Sequence, residues 1–115
     1  MPYWRHIDVV TPYVPADHTG TRNRRLVSWM DEMEHVELII GEMDEGGSAM
    51  WHAHVHREKV MYILEGWLWV AVGQEKAVLT VGHAIWIPKT VAHAVKNPGP
   101  GKVRFVLIYG QAGFC

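Results

Sequence analysis

The sequence predicts an all-β single domain built as a sandwich or barrel of antiparallel strands. Short runs rich in β-branched and aromatic residues alternate with turns made of Gly, Pro, Asn and Asp, which is the pattern of such folds. No stretch shows the sustained apolar period of 3.6 residues that an amphipathic helix requires. The chain has 115 residues, of which 49% are hydrophobic, and this length suits one buried core.

The predicted strands follow one another closely from residue 36 onward. They cover residues 36–43, 50–56, 60–64, 67–72, 76–81, 84–88, 91–95 and 103–109. The first strand should close at the turn DEGG, residues 44–47, and the pair Glu65-Gly66 predicts a hairpin between the third and fourth strands. The segment RLVSW, residues 25–29, is compatible with a strand, and residues 30–35 fit either a helical turn or a loop.

We divide the chain into an N-terminal arm, residues 1–35, and a barrel, residues 36–115. Residues 3–14, with the sequence YWRHIDVVTPYV, are apolar enough to pair with the sheet of a neighbouring subunit. Because a small two-sheet barrel leaves strand edges that need protection, we expect a homodimer in which the arm contributes to the contact.

Composition and charge argue against two classes of partner. The net charge is -1 and the only basic run is RNRR, residues 22–25, so no nucleic-acid binding is expected. No apolar run approaches the roughly 20 residues of a membrane span, so no membrane partner is expected either. The single cysteine, Cys115, cannot form an intramolecular disulfide, and we expect a cytoplasmic protein whose partner is a small molecule.

Three histidines stand at alternate positions, His52, His54 and His56, and Glu58 continues the spacing. Because side chains alternate between the faces of a strand, all four should point the same way. A face with four ionisable groups is either solvated or converges on a cation. A His-x-His pair places two ligands about 6–7 Å apart along a strand, near enough to share a zinc, iron, nickel, manganese or copper ion. The residues alone leave both alternatives open.

The surroundings of these histidines resemble the two motifs of the cupin superfamily, in particular its small single-domain bacterial members of the cupin-2 type. The first motif is matched by Gly46-x5-His52-x-His54-x3-Glu58, followed by Gly66. The second is matched by GHAIWIPKTVAHAVKN, with Gly82, Pro88, His93 and Asn97 in place and Thr90 where the family has a glycine. The two motifs occur in the family's order and at its spacing.

The resemblance implies a double-stranded β-helix, or jelly-roll, barrel with a metal inside it. It implies one divalent transition metal per chain (Fe, Mn, Ni, Cu or Zn), bound by His52, His54, His93 and an acidic fourth ligand. Glu58 is the candidate for that fourth position.

The fourth ligand is where the sequence departs from the family pattern. Seven residues rather than six separate Glu58 from Gly66, so that counting back from Gly66 reaches Lys59 instead. A lysine ammonium has no lone pair for a metal. Three alternatives remain: a bulge after Glu58 keeps its carboxylate on the metal, His56 substitutes for it, or three histidines and water complete the site.

The remaining residues of the pocket are predicted more coarsely. Large side chains that either line the barrel mouth or fill the core are Trp51, Met61, Trp67, Trp69, Trp86 and Tyr109. His56 and Glu58, if free of the metal, are candidate catalytic acid-base groups. We interpret three further histidines as surface residues and leave His83 unassigned; the three are His6, His18 and His35.

Three functions fit this pattern. The first is a metal-dependent oxidoreductase of the dioxygenase kind that acts on a small organic molecule. The second is a non-redox isomerase, lyase or cyclase in which the metal is a Lewis acid and His56 or Glu58 is the general base. The third is a module that binds a small molecule without turning it over, since one fold hosts many activities.

Overall fold

The computed structural model describes residues 3–28, 31, 33 and 35–111, and within them the fold is all-β, as predicted. A short 3-10 helix, Ile7–Val9, precedes the strands. The strands are β1 His18–Val27, β2 Val36–His52, β3 Arg57–Glu65, β4 Trp67–Val72, β5 Glu75–Thr80, β6 Ala84–Ile87, β7 His93–Lys96 and β8 Val103–Gln111. Half of the segment 30–35, predicted as a helical turn or loop, lies outside the described residues, namely residues 30, 32 and 34.

The strands form one curled sheet whose concave face holds the core. Seven strands follow the order β5-β4-β7-β2-β8-β3-β6, and β1 pairs with β2 beside this path. The core is a continuous cluster of inward-facing side chains, among them Ile39, Met43, Met61, Ile63, Leu68, Val70, Val103, Phe105 and Leu107. Each comes from a strand in which buried and exposed positions alternate, which is the pattern the sequence predicted.

Strand β2 is longer than predicted, because the expected turn at residues 44–47 is wrong. The strand runs through these residues, pairing with β8 over its first half and with β7 over its second half. Gly46 adopts a φ of +84°, and its N–H donates to the Asn97 carbonyl at 2.7 Å. Because glycine takes a left-handed conformation without a steric penalty, the strand bends here and changes partner without reversing.

The predicted hairpin at Glu65-Gly66 is also wrong. Strand β3 pairs with β6 and β8, whereas β4 pairs with β5 and β7, so this turn carries the chain from one half of the curled sheet to the other. Gly66 has a φ of +80°, and a Cβ atom there would lie 2.6 Å from the Lys102 carbonyl oxygen. The turn therefore needs a residue without a side chain.

The predicted strand over residues 50–56 ends early, at His52, and β3 starts at Arg57. The other predicted strands agree with the structure to within a few residues at each end. In the described part of the chain no helix is long and apolar enough to span a membrane.

Candidate metal centre

Three histidines come together at the concave face where β2 meets β7. His52 ends β2 and is paired with His93, the first residue of β7, while His54 follows β2 in the connection to β3. The ring centroids of His52 and His93 are 4.1 Å apart, and those of His54 and His93 are 5.4 Å apart. One ligand nitrogen from each of the three lies within 4.8 Å of the other two.

A bulge in β2 turns His52 toward this cluster. The pairing of β2 with β7 shifts between Ala49 and His52, so one extra residue is inserted there. Ala49 is buried, and regular alternation would bury Trp51 next; instead Trp51 is 54% exposed and His52 faces inward. The inward position of His52 therefore depends on the bulge.

The hydrogen bonds of the rings leave nitrogen atoms free for a ligand. The Nδ1 atom of His52 donates to the Met50 carbonyl at 2.6 Å, and that of His93 donates to the Val91 carbonyl at 3.1 Å. In the described part of the chain, the Nε2 atoms of His54 and His93 are buried and have no hydrogen-bond partner. A carbonyl at one ring nitrogen that orients the other is the usual arrangement around a metal-binding histidine.

Electrostatics favour the neutral form of two of these rings, His54 and His93, and the neutral form is the one that binds metals. Burial, reinforced by the charge of Lys59, lowers the pKa of His54 to about 4. Burial also lowers the pKa of His93 to about 4. Nitrogen ligands about 2.0–2.1 Å from a tetrahedral metal are ~3.3 Å apart, so modest ring rotations would close the cluster on one ion. The donors present therefore fit a metal.

Thr90 holds His54 in place from the second motif. Its N–H donates to the His54 carbonyl at 2.6 Å. Thr90 has a φ of +69°, a left-handed conformation that a β-branched residue rarely adopts. The family motif has a glycine at this position, which would adopt this conformation without strain. Thr90 therefore carries backbone strain that the family residue avoids.

The structure brings neither Glu58 nor His56 to the cluster. Both side chains are exposed, since His56 lies in a bend beyond the end of β2 and Glu58 faces outward from β3. The bulge expected after Glu58 is wrong: β3 pairs regularly with β8 from Arg57 to Ile63, and the register shifts only between Ile63 and Glu65. The prediction that all four residues of the alternating motif share one face is therefore wrong beyond His54, since only His52 and His54 face the cluster.

Lys59 faces inward where the family pattern places an acidic ligand. Its side chain is 4% exposed, and its Nζ atom lies 5.8 Å from the centre of the Tyr109 ring. Burial, followed by repulsion from Arg57, lowers the pKa of Lys59 to about 8. Tyr109 also contacts His54 edge to face, with ring centroids 5.4 Å apart. The interior of the site is thus basic.

A fourth histidine, His18, lies beside the cluster, and its interpretation as a surface residue is wrong. Its ring centroid is 5.9 Å from that of His52, and burial lowers its pKa to about 4. His18 reaches this position because it opens β1 and pairs with Ala49 of β2. No local sequence signal marks that register, which explains why the pattern of the chain did not reveal it.

The aromatic candidates divide between the two faces of the sheet. Met61 belongs to the core and Tyr109 packs against it. Trp51 is exposed and Trp86 is 73% exposed. Trp67 and Trp69 alternate with the buried residues of β4, so they lie on the outer face. These tryptophans therefore do not surround the histidine cluster, although Trp86 lines a cavity between β4, β5 and β6.

Comparison with known proteins agrees with this architecture. The family model of the cupin domain matches residues 39–109. The polyketide cyclase RemF from Streptomyces resistomycificus has a similar structure, with a TM-score of 0.84 and 22% identity over 100% of this chain and 87% of that one. An RmlC-like cupin from Shewanella frigidimarina gives a TM-score of 0.81 and 20% identity over 97% and 93%.

A third similar structure is that of a predicted oxalate decarboxylase from Thermotoga maritima, with a TM-score of 0.80 and 17% identity over 92% of this chain and 96% of that one. At these identities the likeness concerns the fold. No curated protein sequence matches the chain. The family match covers more than half of the residues, and the chain belongs to the cupin family.

Proposed function

Because the chain is a cupin, we propose that it binds one divalent transition metal through His52, His54 and His93 and acts on a small organic molecule inside the barrel. The observation that carries this proposal is the pair of buried, unpartnered Nε2 atoms on His54 and His93. Leaving such atoms without a partner costs about 1–3 kcal/mol each. A metal ion compensates for both at once.

The first candidate reaction is oxidation of the dioxygenase kind. Iron, or less often manganese, nickel or copper, would supply open coordination positions at which oxygen and substrate are activated. The three histidines use three positions and the described part of the chain offers no carboxylate as a fourth ligand, so positions remain for small molecules. His56 and Glu58, both exposed, are not among the groups we propose for the chemistry.

The second candidate is non-redox chemistry, such as that of an isomerase, lyase or cyclase, with the metal as Lewis acid. Lys59 favours it, since a buried cation stabilises negative charge that develops on a substrate oxygen. The similar structures include a polyketide cyclase and a predicted oxalate decarboxylase, activities that belong to those proteins.

Elemental analysis of untagged protein tests the site. We expect stoichiometric metal in the wild type, its loss in His52→Ala and His93→Ala, and its retention in His56→Ala, which removes an exposed histidine from the same segment. Metal that survives in both of the first two variants, or none in the wild type, would contradict the proposal.

The element found then separates the reactions. Iron or copper with substrate-dependent oxygen consumption supports oxidation, whereas zinc with turnover under anaerobic conditions supports Lewis-acid chemistry. Metal without turnover of any candidate substrate supports the module that only binds.

We further propose that the chain forms a homodimer. Tyr3 is 97% exposed and Trp4 79% exposed, and exposed apolar side chains of this size are typical of contact surfaces. The outer face of β3 adds Val60 and Tyr62, which are 41% and 44% exposed. Sedimentation velocity from low to high micromolar concentration should give a dimer mass, and a variant lacking residues 1–14 should dissociate more readily. A monomer mass that does not change with concentration would refute the dimer.

A further inference from the structure

Lys59 is a buried cation without a counter-ion. Its side chain is 4% exposed on the inner face of β3. In the described part of the chain it makes no hydrogen bond or ion pair, and the only ring contact of its ammonium group is with Tyr109. Burial of an unpaired charge is costly, so such a group usually serves a ligand or is neutralised.

Two carboxylates near Lys59, its chain neighbour Glu58 and Glu37, which lies one strand beyond Tyr109 in the sheet, are already committed elsewhere. Glu58 faces outward and is exposed. Glu37, which is buried, pairs with Arg25 at 3.2 Å and with Arg57 at 3.3 Å. These contacts balance the guanidinium groups and leave the ammonium of Lys59 without an acidic partner.

An apolar cavity of about 540 Å³ opens beside this basic interior, between β4, β5 and β6. Its wall includes Val72, the strand neighbour of His93, and Ile85, the strand neighbour of Met61. The next inward residue of β6, Ile87, lies opposite Lys59. The cavity wall itself is built from β4, β5, β6 and the connection to β7, and these pairings place it next to the strands that carry His93 and Lys59. Its size suits a small organic ligand.

We propose that this site takes a small organic carboxylate whose negatively charged oxygen lies between the metal and Lys59 and whose apolar part occupies the cavity. The proposal rests on the proposed function, since it assumes the metal held by His52, His54 and His93. A divalent ion bound by three neutral imidazoles adds positive charge next to Lys59. An anionic ligand offsets both charges, whereas a neutral ligand offsets neither.

A matched pair of probes tests this on the metal-loaded protein. Butyrate and butyramide have nearly the same shape and differ in charge, and both are small enough for the cavity. Cobalt(II)-loaded protein is titrated with each, and binding is followed by calorimetry and by the visible absorption of cobalt. The proteins compared are the wild type, Lys59→Met, Lys59→Arg, and Lys89→Met as an exposed-lysine control.

We expect the wild type and Lys89→Met to bind butyrate more tightly than butyramide. Lys59→Met should bind cobalt normally, but its ratio of butyrate affinity to butyramide affinity should be at least tenfold lower than that of the wild type. Lys59→Arg should restore part of the preference for butyrate. An unchanged preference in Lys59→Met, or none in the wild type, overturns the proposal. Loss of cobalt from Lys59→Met also overturns it, because Lys59 would then be a metal ligand. Absence of cobalt binding in the wild type refutes the proposed function instead.

Discussion

Replacing Lys59 with methionine should stabilise the metal-free protein at neutral pH. A side chain that is 4% exposed carries a charge there, and its pKa falls from 10.5 to about 8 because burial disfavours the ammonium form. Each unit of pKa is worth about 1.4 kcal/mol, so the buried charge costs about 3 kcal/mol of stability. Methionine has a similar length and no charge, so Lys59→Met should recover much of this amount.

The sign of the pH dependence follows from linkage. In the unfolded chain Lys59 keeps its proton up to about pH 10.5, whereas in the folded protein it releases it near its lowered pKa of about 8. Between these values the unfolded state binds more protons, so the free energy of unfolding of the wild type rises with pH. Below pH 8 both states are protonated, and the full cost is present.

Urea denaturation of wild type and Lys59→Met from pH 7 to pH 11, with a chelator present to keep both metal-free, measures this effect. The stability advantage of the variant should shrink by about 3 kcal/mol across the range, and at pH 7 its melting temperature should be higher by on the order of 10 °C. Lys89→Met, at an exposed lysine, should show no such trend. An advantage of Lys59→Met that does not vary with pH would refute the argument that Lys59 is buried as a cation.

Three further substitutions test the fold around the site. Ile63→Ala removes a fully buried side chain and should cost about 2–5 kcal/mol in urea denaturation, whereas Leu64→Ala, at a position that is 41% exposed, should cost far less; equal losses would contradict the assigned faces of β3. Thr90→Gly should raise the free energy of unfolding by about 1 kcal/mol. The substitution removes the backbone strain at a φ of +69°, although glycine adds some conformational entropy to the unfolded chain. A loss of stability would mean that the threonine side chain contributes more than the strain costs. Gly66→Ala should lower the melting temperature and urea midpoint markedly, because its Cβ would meet the Lys102 carbonyl at 2.6 Å; a neutral result would show that this turn can move.

The sequence was sufficient for the features that depend on local pattern. The strands from β3 to β8 follow runs of β-branched residues between turn residues, and the alternation of buried and exposed positions identifies the core. The histidines His52, His54 and His93 could be selected because their spacing resembles a known motif. The course of the chain at residues 44–47 could not be predicted, since a pair of glycines is equally compatible with a turn and with a bend inside one long strand.

His18 and Lys59 illustrate what local pattern leaves out. His18 approaches His52 only because β1 pairs with β2 in one particular register, in which His18 lies opposite Ala49. That register is set by contacts between distant segments, and the residues around His18 carry no sign of it. The motif spacing marks Lys59 as unusual. Whether its side chain faces the interior or the solvent depends on where the strand register absorbs the extra residue of the motif.

Two bulges decide which side chains face the interior, because inserting one residue in a strand sends every later side chain to the opposite face. In β2 the bulge between Ala49 and His52 directs His52 inward and leaves Trp51 exposed. In β3 the shift comes only between Ile63 and Glu65, too late to turn Glu58 inward, so Lys59 takes the inner position. The motif spacing alone predicts a metal site completed by the carboxylate of Glu58. The observed strand registers instead place three imidazoles beside the ammonium group of Lys59. The second arrangement carries more positive charge, and it therefore favours a ligand that brings its own negative charge.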